Sequence, residues 1–330
     1  LNNINGRVNM KKGKKIIIVV TCALLVVGIA LFIFGLAMLG FDFKKFGAQE
    51  IQTNEYAVEE EFENIVIDVD TSDVSLIALQ NTQGKVSVSD KEKVKHTVTV
   101  KDKTLFIGVE DTRKWYDHIG IHFAELSVTL ELPSGNYKAL TVETDTGNCS
   151  ISQSLSFENI TVGTHTGDIT MYAPCTGTMD LETDTGFVLL RNTTAKEVKI
   201  ETSTGDINLA DVTVEETLQR ECSTGKTTLT RVKAKNFISN GSTGDVHINE
   251  CEFLQTLRIK TSTGDVRIEL SDAGELFVET STGDVKGILL SEKIFITKTS
   301  TGDIRVPSST AGGRCEITTS PGDIFIEIQT

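Results

Sequence analysis

At 330 residues the chain has room for about two domains. Its 46 acidic residues outnumber its 32 basic ones, giving a formal net charge of −14. Five of the basic residues and none of the acidic ones fall within residues 1–15, so the remainder is more acidic still and repels phosphate backbones. Nucleic acid is thereby excluded as a partner, while cationic peptides and divalent cations stay compatible.

Arg7, Lys11, Lys12, Lys14 and Lys15 precede an uncharged run from Ile16 to Leu39. A helix of that length spans a hydrocarbon core of roughly 30 Å with some tilt. The run predicts an uncleaved transmembrane helix over 16–39. The basic excess ahead of it places residues 1–15 in the cytoplasm and the chain from about Gly40 outside. Met10 begins a conventional start, "MKKGKK".

Residues 40–55 read as a juxtamembrane linker. From 56 to 139 alternating apolar residues signal strands, as in "NIVIDVDTSDVSLIAL", but without a fixed period. This stretch is expected to cap the repeat that occupies residues 140–330, with Thr71-Ser72-Asp73 as a degenerate corner. Inside it, "DTRKWYDHIGIHF" holds the single tryptophan, Trp115, beside Tyr116, His118 and His122. A closing plug or a recognition loop are the readings for this loop. Zinc on the two histidines and Asp117 is the weaker one, for want of a third spaced ligand.

In the repeat, Gly147, Gly167, Gly186, Gly205, Gly225, Gly244, Gly264, Gly283, Gly302 and Gly322 are separated by 19 or 20 residues throughout. Seven residues before each stands an apolar residue, and five before it one in seven of ten copies, with Arg220, Ser239 and Thr297 the exceptions. Apolar residues recur two and four after the glycine, so the inward parity switches there and the chain must turn. No unit of this size buries its own core, which makes the array a ten-rung parallel β-solenoid, right-handed by the general crossover preference.

Glycine supplies the turn's backbone freedom. Threonine stands one residue before it in nine copies and three before it in eight, suiting a β ladder. Aspartate follows it in seven, the last five being Asp245, Asp265, Asp284, Asp303 and Asp323. Like charges about 5 Å apart cost roughly 1 kcal/mol per pair in water, so something must offset them. Hydrogen bonds from turn N–H groups are the first candidate and a row of calcium sites the second. No cofactor is otherwise expected. "CSTGKTT" at 222–228 lacks the upstream glycine and the helix of a phosphate loop, and Lys226 fills the Asp column there.

Cys149, Cys175, Cys222, Cys251 and Cys315 show no metal spacing and read as small buried strand residues. The chain closes on "SPGDIFIEIQT", whose last strand reads as a free edge, with Pro321 and Glu327 to blunt it and self-association as the consequence of leaving it bare. With aromatics at 6% and the acids in a regular column, a polysaccharide-cleaving cleft is the least favoured reading.

The basic start and single span, "FDFKKF" behind it, "DTRKWYDHIGIHF", the Thr-Gly-Asp rungs, and "LLSEKIFITKTSTGDIRVP" followed by "GGRCEITTSPGDI" together resemble a bacterial family of β-strand-repeat proteins of unknown function, described as adhesin-like and common in Gram-positive bacteria. The resemblance implies a solenoid exposed outside the cell membrane, with envelope-stress and antimicrobial-peptide sensing among its relatives. It brings no catalytic residues. The expected function is a non-catalytic binding module at the cell envelope, acting on a cationic peptide, a cell-wall component or an envelope protein. A scaffold assembling through its rung edges is the alternative.

Overall fold

A computed structural model of the protein describes residues 12–38, 51–79, 83–113 and 126–329. Residues 51–113 and 125–330 form one compact unit, and the helix belongs to another and is described by itself. Trp115, Tyr116, His118 and His122 lie outside the described residues.

The helix runs Lys12–Met38, 27 residues, with no acidic residue in its first turn and no basic one in its last. At 1.5 Å per residue it is about 40 Å long. Among the described residues, which leave gaps along this helix, no helix is long and apolar enough to cross a membrane.

The other unit is a parallel β-solenoid of about ten turns. Strands stack in register at the repeat period: Val162 pairs with Leu181, Leu181 with Ile200 and Ile200 with Arg220. After the corner Ile169 pairs with Val188, and Val188 with Ile207. The columns seven and five residues before the glycine form the core, from Leu140 and Val142 to Leu276 and Val278, none more than 2% exposed among the apolar members of these rungs. Arg220 and Ser239, polar in sequence, point inward all the same and are 3% and 0% exposed.

The corner explains its composition. Gly244 has φ 140°, and a Cβ there would lie 2.0 Å from the carbonyl oxygen of Gly225, the corner glycine of the neighbouring rung. Backbones touch, so only glycine fits. The threonine three residues earlier points in and donates to that same row of carbonyls: Thr164 to Gly147 O at 3.2 Å, Thr183 to Gly167 O at 3.0 Å and Thr280 to Gly264 O at 3.3 Å. These hydroxyls satisfy acceptors that the turn leaves without a strand partner.

A second corner has no signature in the repeat. Asn192, Asp211, Arg231, Glu250 and Leu270, each six residues after its glycine, all have φ between 45° and 57°. This is the left-handed region, costing a side chain such as leucine roughly 1 kcal/mol. Leu270→Asn is therefore expected to stabilise by about 0.5 kcal/mol, read as a higher denaturant midpoint with unchanged slope.

Rung order departs from chain order at both ends. Leu276 and Val278 pair with Cys315 and Ile317, and those pair in turn with Phe295 and Thr297. The C-terminal rung is thus inserted between its two predecessors, and Lys293–Lys298 with Ile304–Arg305 forms the outermost rung. The expectation of a free edge at Ile324–Ile328 is corrected for Ile324 and Phe325, which pair with Ile304 and Arg305, while among the described residues Ile326–Ile328 pair only with Gly287–Leu289. Pro307 ends the ladder of the outer rung. Gly312 and Gly313 then let the returning chain pass against the backbones of Glu292 and Gly274, where a Cβ would come within 1.8 Å of each carbonyl oxygen.

At the other end, Asn64–Val69 and Ser72–Leu79 stack directly on the first regular rung, with Ser72 in the glycine position. Outside them lie Thr104–Asp111 and Leu126–Pro133. Three antiparallel pairings finish this end: Gln52–Val58 with Gly84–Asp90, Gly84–Asp90 with Leu126–Pro133, and Val94–Lys101 with Thr104–Asp111.

Candidate functional site

The Asp column is tied into the architecture. Asp245 Oδ1 accepts the backbone N–H of Asp265 at 2.9 Å, Asp265 that of Asp284 at 2.8 Å, Asp284 that of Asp323 at 2.8 Å and Asp323 that of Asp303 at 2.8 Å. Each of these four carboxylates therefore bonds to a neighbouring rung, and of the five only Asp303 accepts no such bond among the described residues. Lys286 also donates to Asp284 Oδ2 at 2.7 Å, and that bond, with the N–H of Asp323, holds the Asp284 carboxyl below its usual range. Among the described residues no group of three or more His, Cys, Asp or Glu side chains could hold a metal ion. All five of the solenoid's cysteines are free and buried. Burial pushes the thiols of Cys149 and Cys315 up to about 12 and that of Cys251 to about 11.

A different set of carboxylates faces solvent. On the strands before the corner, residues four and two before the glycine point outward, and down the first rungs they are Asp68 and Asp70, Glu143 and Asp145, Gly163 and His165, Glu182 and Asp184. With Asp180 they line one groove of about 310 Å³. Gly163 makes the groove: nothing lies within 4 Å of where its Cβ would be, so the ladder has a notch between Glu143 and Glu182.

Seven carboxylates surround this notch with little to neutralise them. His165 Nδ1 is 3.4 Å from Asp145 Oδ1, both side chains being more than 70% exposed. Lys199, one rung on, bonds Glu201 at 2.8 Å. Its pKa is raised, first by that bond and further by the fields of Asp180 and Glu182. Farther along the same face the character changes. In the column two before the glycine, seven serines from Ser203 to Ser320 take the place of the acids, and the Arg258 guanidinium sits 4.4 Å over the Phe277 ring. The acids are thus densest on the first rungs, although Glu201, Glu221 and Glu279 continue the column four before the glycine. This distribution is visible in the sequence once the outward columns are aligned as the inward ones are.

A second constellation is closed. Ser72 Oγ lies 3.2 Å from His96 Nε2, and His96 Nδ1 lies 2.8 Å from Asp90 Oδ1. Asp90 Oδ1 also accepts the His96 backbone N–H at 2.9 Å, and its Oδ2 accepts Asn54 Nδ2 at 2.6 Å. Burial alone would raise the Asp90 pKa, yet these bonds more than offset it and hold the carboxyl below its usual range. The order Ser-His-Asp is that of a hydrolase relay, but the three residues are 1%, 3% and 3% exposed, and no substrate reaches Ser72 in this arrangement. The network joins four strands of the capped end.

Among solved structures, the chain is similar to a "putative adhesin" from Parabacteroides distasonis, at 14% identity and TM-score 0.50, over 84% of this chain and 98% of that one. A "putative lipid binding protein" from the same species matches at 14% identity and TM-score 0.45, over 85% and 98%. A further "putative adhesin", from Bacteroides fragilis, matches at 15% identity and TM-score 0.40, over 86% and 99%. At these identities the likeness is one of fold. None of the curated proteins is similar enough to match. The family model described as Toastrack DUF4097 matches residues 62–221 and 215–330, which take in every rung and the capped end apart from Gln52–Val58, so the chain belongs to that family.

Proposed function

We propose that the protein is a membrane-anchored, non-catalytic binding module that displays its solenoid outside a bacterial cell and takes cationic peptide segments in the acidic groove. The groove carries this reading: seven carboxylates surround a notch in a rigid ladder, and among the described residues that line it His165, 3.4 Å from Asp145, is the one basic side chain. A polycation recovers there the Coulomb energy that carboxylates lose by crowding, and it does so without needing a deep apolar pocket.

The anchor rests on the helix. Leu24, Leu25, Val26 and Val27, then Leu31, Phe32, Ile33 and Phe34, are consecutive positions and all more than 50% exposed, so the helix is apolar on every side and suits lipid rather than a one-sided protein contact. The basic residues before it orient the solenoid outward. The adhesin name of the fold relative from Parabacteroides distasonis agrees with a binding role.

The test is a titration of the full chain in lipid nanodiscs with a Lys/Arg-rich peptide of about 15 residues at low and high salt. The reading expects saturable binding that weakens at least tenfold between roughly 50 and 500 mM salt. Binding of equal strength to a neutral peptide of the same length would overturn it.

The scaffold reading has its own observation. The outermost rung exposes Ile294, Ile296 and Ile304 by 44, 50 and 42% beside a strand edge that, among the described residues, has no neighbour on its outer side. Lys298 on that edge opposes pairing with a like strand, which makes this the second choice.

A further inference from the structure

The last two rungs are equivalent at the corner. Phe295 and Thr297 stand in the columns that Cys315 and Ile317 fill, and Ile304 and Val306 in those of Ile324 and Ile326. Thr319 donates to Gly283 O at 2.9 Å and Thr299 to Gly322 O at 2.9 Å, while Asp284 accepts the backbone N–H of Asp323, and Asp323 that of Asp303. Every one of these bonds has its counterpart with the two rungs in chain order, the rung of Gly302 lying on that of Gly283 and the C-terminal rung outside both. The corner therefore does not choose between the two orders.

A different column does. Nine residues before the corner glycine stand Gly274, Gly313 and Lys293, stacked in that sequence. A Cβ on Gly313 would lie 1.8 Å from the carbonyl oxygen of Gly274, so without backbone movement the place beside Gly274 takes only a residue that has no side chain. Gly313 meets that condition and Lys293 does not. With the C-terminal rung inside, Lys293 is 2% exposed and donates to Asp272 Oδ1 at 2.6 Å and to Ser291 Oγ. Asp272 belongs to the strand of Gly274, so this buried pair ties the outer rung down across the inserted one.

The order also decides which strand ends the rod. As the rungs stand, the end strand carries Lys293 and Lys298, and Ile324 and Phe325 are paired on both sides. In chain order the whole of Ile324–Ile328 becomes the end strand, with four apolar residues in five and no cation to discourage pairing. Two packings of one segment that differ by a single tight contact make a two-state element.

We propose that the last two rungs are a conformational switch. The contact of Gly313 with Gly274 holds the C-terminal rung inside, and its loss lets the rung of Gly302 take that place and brings Ile324–Ile328 to the end of the rod.

The test is cysteine cross-linking of the full chain, read by mass spectrometry of the linked peptides. Glu279 and Thr318 are in register on adjacent strands, whereas Glu279 and Lys298 are two strands apart, roughly 9.6 Å between Cα atoms and beyond the ~7 Å that a disulfide bridges. Glu279→Cys/Thr318→Cys is expected to cross-link in the otherwise native chain, and Glu279→Cys/Lys298→Cys is not. Two backgrounds then release the order: Gly313→Val, which bars the C-terminal rung from its place, and Lys293→Gly, which admits the outer rung to it. In each the 279–298 yield is expected to rise roughly fivefold or more at the expense of 279–318. An unchanged 279–298 yield in either background that folds overturns the proposal. Failure of both to fold overturns it equally, since chain order is then no stable packing.

Discussion

Gly244→Ala is expected to destabilise the solenoid by about 4 kcal/mol and to lower its Tm by roughly 10 °C, measured by circular dichroism at the strand band. Two costs combine. The backbone at φ 140° is one that a residue with a Cβ rarely adopts, and the new methyl would sit 2.0 Å from the Gly225 carbonyl oxygen. Relief would require the rungs to part locally, which breaks ladder bonds on both sides of the corner. Gly163→Ala is the control, since open space surrounds its Cβ position and the strand gains from a side chain. That variant should leave Tm unchanged or slightly higher. Equal loss in both would show that the corner glycines are not a packing requirement.

The second large effect is expected from Asp90→Ala. Its carboxylate accepts two buried bonds, from the His96 backbone N–H and from His96 Nδ1, and a part-buried one from Asn54 Nδ2. Removal leaves the two buried His96 donors without an acceptor, at about 3 kcal/mol for the set, while the half-buried Asn54 amide can turn to water. The loss should be localised: hydrogen exchange should speed up across residues 52–58 and 84–101 while the rungs beyond Gly186 keep their protection, as a quasi-linear array allows. Uniform acceleration along the whole rod would contradict this.

The pH dependence has a definite sign. Asp90 and Asp284 have folded pKa values below their unfolded ones, and Glu63, bonded to Lys103 and Lys138, is lowered to about 2. Such groups contribute stability that is complete above the unfolded value near 4 and is lost as pH falls through the folded one. The protein should therefore hold a flat stability from neutral pH down to about 5 and lose it between about 4 and 2.

The regular rungs were legible because several columns repeat together. Glycine recurs where two backbones touch, threonine where a carbonyl needs a donor, and Val, Ile or Leu where side chains meet inside. The second corner was not legible, since Asn192, Asp211, Arg231, Glu250 and Leu270 share a backbone conformation and no chemistry. A penalty of about 1 kcal/mol per residue is small enough for each rung to tolerate. The insertion of the last rung was hidden for another reason: strands 293–298 and 313–318 fit the same columns, and the column pattern does not fix which of them stacks on Leu276–Glu279.

The site was legible in part. The Asp column was expected first to accept backbone N–H groups of the turn, and Asp245, Asp265, Asp284 and Asp323 do accept backbone N–H groups, those of the neighbouring rung. The free carboxylates are on the outward columns of the first rungs, where Gly163 opens the ladder. Ser72, Asp90 and His96 are 24 residues apart at most and carry no motif in sequence; antiparallel pairing in the cap brings them together.

The division between corner and groove is decided by the affinity of the full chain for a Lys/Arg-rich peptide, compared between Glu143→Gln/Glu182→Gln/Asp184→Asn and Asp245→Asn/Asp265→Asn. The account predicts at least a tenfold loss for the groove variant and unchanged affinity for the corner variant, whose carboxamide oxygens still accept the ladder bonds. Loss of affinity in the corner variant with the groove variant unaffected would contradict it.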